Sequence, residues 1–102
     1  MTRPPVIYVD FNEMVSHDVV ALSQTDVRKD VSGRDVHLRE GLPISIYMDD
    51  IDENGKPDNL VAEGVVVPRE KDWRFSVVKW FCKIGPNGIR HESDLTVRGE
   101  QR

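Results

Sequence analysis

The sequence predicts an all-β chain: a small bent-strand barrel of the SH3-like kind, or a two-layer sandwich, of five to seven strands with at most one short helix. Three observations predict it. Short runs rich in Val, Ile and aromatic residues recur at 6–11, 18–23, 42–48, 60–67 and 73–84. Turn-forming Gly, Pro, Asn and Asp separate them, most clearly in Pro86-Asn87-Gly88. The length of 102 residues is that of one ordinary domain. The expected organisation is a single β domain over residues 1–94, followed by a flexible polar tail over 95–102.

The elements are read in order. Residues 6–11 (VIYVDF) are β-branched or aromatic at nearly every position, the pattern of a strand covered on both faces. Residues 12–17 break that run. Residues 18–23 read as a second strand. Ser23-Gln24-Thr25-Asp26 matches a helix-start signal, and Val27 and Val31 follow four apart with Gly33 behind them. One or two helical turns over 24–31 satisfy this. Residues 34–38 read as a short strand.

In 42–48, Ile44, Ile46 and Met48 share one parity while Ser45 and Tyr47 share the other. Pro43 suits the first residue of a strand. Residues 49–59 are a polar loop, and 60–67 is a strand halted by Pro68. Gly64 inside it suggests a bulge or a sharp bend. Residues 73–84 form the longest strand candidate. Its apolar phase changes midway, which suggests a bulge at Val77-Val78. That phase places Cys82 inward and Phe81 outward with Lys79 and Lys83. Residues 89–92 return as the partner strand across the Pro86-Asn87-Gly88 turn.

Charge sets limits on function. Lys and Arg number 14 against 18 Asp and Glu, a net charge of -4. That balance argues against a protein that coats nucleic acid, which needs an excess of cations. The charge is polarised. Residues 49–63 hold Asp49, Asp50, Asp52, Glu53, Asp58 and Glu63 against Lys56. Residues 69–90 hold six Lys or Arg against Glu70 and Asp72, with Trp73, Phe75, Trp80 and Phe81 between them. No apolar run approaches the ~20 residues of a membrane-spanning helix. The amino terminus lacks the apolar stretch of a signal peptide. A lone Cys82 excludes an internal disulfide and fits a reducing cytoplasm.

Few residues carry chemistry. Asp50, Asp52, Asn54 and Asp58 place oxygens at positions 1, 3, 5 and 9 of a loop with Gly55 at position 6. Hard cations such as calcium use that spacing. The closing bidentate Glu is missing, since Val61 stands at position 12, so a turn is the favoured reading. Cys82 is expected to be a shielded, inert thiol. Ser16-His17-Asp18 and His91-Glu92-Ser93-Asp94 are not triads, because neighbours along a strand point to opposite faces.

The expectation is therefore a non-catalytic binding module without a cofactor. It presents Tyr47, Arg74, Lys79, Phe81, Lys83 and Arg90 to a protein partner, and homodimerisation through sheet edges is also open. The alternatives are a nucleic-acid-binding barrel using the basic-aromatic 69–90 face, and a domain stabilised by calcium in the 50–58 loop.

Overall fold

The computed structural model describes residues 3–94. These residues form nine strands: β1 (Val6–Tyr8), β2 (Met14–Ser16), β3 (Val19–Ser23), β4 (Val27–Lys29), β5 (Asp35–His37), β6 (Pro43–Met48), β7 (Leu60–Pro68), β8 (Trp80–Ile84) and β9 (Arg90–His91). Seven belong to one sheet, ordered β1-β6-β7-β8-β3-β2, with β9 also paired to β7. Strands β4 and β5 form a separate hairpin. The all-β class predicted from sequence is what forms. The sheet stays open between β1 and β2, so the closed barrel is not formed.

Pairing and parity sort the side chains onto two faces, because directly paired residues point the same way. Ile7, Ile46 and Ala62 make one row of the inner face; Ile44, Gly64 and Ile84 make the next; Val66, Cys82 and Val20 make a third. With Val9, Phe11, Leu22 and Leu38 they form the main core. The β4–β5 hairpin adds Val36 to this layer. A second cluster sits on the outer face, where Val19, Ala21 and Phe81 are covered by Val78, Trp73 and Phe75. Strand β3 is buried at all five positions because it lies between the two clusters.

Several elements differ from expectation. Residues 6–11 are covered on one face only: Ile7, Val9 and Phe11 are buried while Tyr8 is 44% exposed. Residues 12–17 are not a break but contain β2, which pairs with β3 through a register shift. Residues 24–31 are not helical. Ser23 Oγ accepts the amide of Thr25, two residues on, which makes a turn in place of a helix cap. Asp26, the acid of the capping signal, instead faces Lys79 and Trp80. Asp30 Oδ1 then accepts the amides of Ser32 and Arg34, and Gly33 at φ +88° lets the chain double back into β5. Arg28 fixes the hairpin to the sheet by donating to the carbonyls of Tyr8 and Leu22.

Strand β8 is shorter than predicted, and residues 73–79 are an irregular loop with a turn at 76–77. Phe75 takes φ +63°, a left-handed conformation that ends extended pairing. The expected bulge at Val77-Val78 is absent. The irregularity lies in the partner strand, between Ala21 and Ser23. Gly64 is no bulge either, since pairing with β6 runs through it without a register shift. Strand β9 pairs with β7 at Leu60 and Val61, not with β8. The short helix falls at residues 92–94. The tail expected at 95–102 lies outside the described residues.

Candidate functional site

The outer face of the sheet is divided in two. Over β3 and β8 the 69–79 loop forms a roof. It is held by Arg74, whose Nη2 donates to the Met14 carbonyl at 2.7 Å, and by Lys79 N, which donates to the Ser23 carbonyl at 2.8 Å. Trp73 stands edge-on to Phe81 beneath it, with ring centroids 4.8 Å apart. Over β1, β6 and β7 no loop forms such a cover among the described residues.

Registers define the open half. Tyr8, Tyr47, Val61 and Arg90 make one row; Val6, Ser45 and Glu63 make the next; Pro43, Val65 and Lys83 make the third. Tyr8 and Tyr47 pack edge to face with centroids 5.4 Å apart. Val65 is exposed at 36%, and Val6, Tyr47 and Val61 are half-buried. The Glu63 carboxylate has no ion pair among the described residues. At the border of this face the 85–89 turn folds back, with Gly85 N donating to the Glu63 carbonyl at 2.8 Å. A groove of about 620 Å³ opens there, lined by Asp18, Val65, Lys83, Pro86 and Ile89 among others.

Of the six residues expected to meet a partner, Tyr47, Lys83 and Arg90 belong to the rows of the open half, while Arg74, Lys79 and Phe81 belong to the roofed half. Tyr47 lies on the open face. Phe81, expected outside with the lysines, is fully buried under the roof loop. The physical reason is that Val78, Trp73 and Phe75 fold over its face instead of extending the strand. Lys79 is paired with Asp26 at 2.8 Å and Lys83 with Asp18 at 3.1 Å. The Lys83 ammonium is the main reason the Asp18 carboxyl sits below the usual carboxylate range. Arg74 holds the roof loop and lies 5.1 Å from the Phe75 ring centroid. Arg90 sits beside Val61, with its Nε buried and without a hydrogen-bond partner among the described residues. The basic-aromatic segment therefore spends most of its aromatic surface on the second core cluster.

The acidic loop uses its oxygens internally. Asp52 Oδ1 accepts the amides of Asn54 and Lys56 at 2.8 and 3.0 Å, and Gly55 turns at φ +80°. Asp50 accepts the Ile51 amide and faces His91 Nε2 at 3.2 Å. Asp58 accepts both the amide and the hydroxyl of Ser93, at 2.9 and 2.8 Å. Those bonds hold its carboxyl below the ordinary value. Asn54 is exposed. Among the described residues no three His, Cys, Asp or Glu side chains converge as a metal site. Cys82 is fully buried, and burial pushes its thiol up to about 12.

Sequence reasoning missed Tyr8, Val61, Glu63 and Val65. Their signal was parity: on β7 residues 61, 63 and 65 alternate with the buried Ala62 and Val66. The run of apolar residues on both parities masked it. Compared with protein-family models, curated proteins and solved structures, the chain gives no significant match.

Proposed function

We propose that this chain is a non-catalytic interaction module that docks a protein partner on the open outer face of β1, β6 and β7. The observation that carries the reading is the contrast within one sheet face: half is roofed by the chain's own aromatic loop, and half, without such a roof among the described residues, presents Tyr8 and Val65 exposed beside half-buried Tyr47 and Val61. An antiparallel face left to water ordinarily alternates to polar side chains. Apolar residues gathered in such a place mark contact surfaces. Tyrosine suits them because it offers a rigid apolar ring and a polar tip. The buried, hard-to-ionise Cys82 supports a non-catalytic role, and a single free thiol suits a reducing cytoplasm. Among the described residues no helix is long and apolar enough to cross a membrane. The nucleic-acid alternative loses support from the pairing of Lys79 and Lys83 and the burial of Phe81.

A photo-crosslinking amino acid placed at Tyr8 or Val65, in the cells that make the protein, tests this reading. Discrete protein adducts are expected from those sites and none from Val31, an exposed apolar residue on the β4–β5 hairpin turn. Equal adducts from all three sites, or none from Tyr8 and Val65, overturn it.

A further inference from the structure

The partner's chemistry can be taken one step further, resting on that docking face. We infer that the occupant is a polypeptide segment carrying a Lys or Arg flanked by apolar residues, and that Glu63 reads the cation.

Glu63 stands at the middle of the open face. Along β7 it lies between Val61 and Val65, and across β6 it is paired with Ser45. It is exposed, and among the described residues no cation meets it. The two cations nearest in register are engaged or withdrawn: Lys83 is held by Asp18, and Arg90 is half-buried beside Val61. An apolar partner that covered this face would strip water from the carboxylate. A buried carboxylate without a counter-charge is costly, so a purely apolar or acidic segment is selected against. A cation between apolar flanks removes that cost and fills the face at once.

Two cations also belong to this face, Lys83, which Asp18 pairs, and half-buried Arg90. Against them the 49–59 loop joins β6 to β7 at the Tyr47–Val61 end of the face and carries five acids against Lys56. Within a Debye length of about 8–10 Å such charges attract a basic segment and repel phosphate backbones. They also oppose a second copy of this chain. A two-fold axis through the centre of the face would bring Glu63 against Glu63.

Three synthetic peptides separate the outcomes: alternating Val/Lys, alternating Val/Glu and alternating Ser/Lys. Each is titrated into the isotope-labelled protein at 0.15 M salt and followed through backbone amide shifts. The Val/Lys peptide is expected to move amides of Tyr8, Tyr47, Val61, Glu63 and Val65 and to bind about tenfold or more tightly than the other two. Glu63→Lys should reverse the preference toward Val/Glu. Glu63→Gln, which keeps the shape, should weaken Val/Lys binding by at least about fivefold.

If Val/Glu binds the same face as well as Val/Lys, the docking face stands and the cation inference falls. If no peptide moves the face, the docking reading fails with it. If Ser/Lys matches Val/Lys and only loop 49–59 responds, the attraction is unspecific and the inference falls. A concentration-dependent dimer whose contacts map to this face overturns it in favour of a second copy.

Discussion

Gly64 and Lys83 meet at a distance that leaves no space for a side chain. A Cβ built on Gly64 comes within 2.2 Å of the Lys83 carbonyl oxygen and 2.8 Å of the Cys82 sulfur. Backbone cannot step aside as a flexible side chain does. Gly64→Ala should therefore cost about 2–3 kcal/mol in urea unfolding. Combining it with Cys82→Ala should not restore stability, because the nearer clash is with backbone. Gly88→Ala, at φ +67° with nothing within 4 Å, should cost about 1 kcal/mol through conformation alone. Equal losses at the two sites would remove the packing account.

Cys82 gives a pH dependence with a defined sign. Its thiol ordinarily ionises near 9.0 and in the fold near 12. Between those values the unfolded chain has released the proton and the folded chain has kept it. Stability therefore falls as pH rises from 9 toward 12. The slope due to this group is about 1.4 kcal/mol per pH unit in mid-window. The measurement is the difference between the protein and Cys82→Ala, which lacks the slope. Native thiol labelling should be slow and should accelerate on unfolding. The alanine variant should lose about 1 kcal/mol at neutral pH.

Trp73 secures the roof over Phe81. Trp73→Ala should cost about 2 kcal/mol, less than a fully buried Trp because this ring is half-exposed. The variant should bind a hydrophobic dye as Val19, Ala21 and Phe81 are uncovered. Unchanged dye binding together with an unchanged melting curve would show that the loop is not a lid on that cluster.

Calcium should do little. Asp52 and Asp58 already accept backbone amides in the loop and from Ser93, so a cation must compete with bonds that the fold has made. Millimolar calcium is expected to shift the melting temperature by less than about 1 °C, with affinity at the weak end of roughly 10⁻⁴–10⁻³ M or poorer. A rise of several degrees that disappears in Asp52→Asn would assign the loop to metal.

Asp58 ties residues 92–94 to the loop. Its carboxyl ionises below 3.8 because Ser93 donates to it from amide and hydroxyl. A lowered carboxyl stabilises above the unfolded value, and that contribution is lost as pH falls below 3.8. Amide exchange at Ser93 should be protected at neutral pH and released in Asp58→Ala, with the core amides of β3 and β8 unaffected. Loss of protection throughout would make the contact global.

Class and most strands were readable because β-branched runs and turn residues act locally. Ile44 and Ile46 alternated with Ser45 as a half-covered strand should, and the Gly88 turn announced itself. What failed depended on distant partners. Ser23 and Asp26 spell a helix start, but Asp26 is taken by Lys79 and Trp80, more than fifty residues on. Phe81 followed the parity rule, yet the rule does not show that Trp73 and Phe75 fold back over it. The candidate face was the least legible, since Tyr8 and Val65 share it only through the β1–β6 and β6–β7 registers.

The parallel pairing of β1 with β6 also fixes an order of events during synthesis. Parallel neighbours cannot be joined by a tight turn, so Val6–Tyr8 waits for Ser45–Tyr47 to emerge. Strand β3 waits longer, for Trp80–Ile84. Until then β3 has only its pairing with β2, and Ile7, Val9, Val20 and Leu22 lack the completed core. A nascent chain stalled short of β8 exposes an apolar surface that the finished protein hides, and such fragments are the natural clients of holding chaperones.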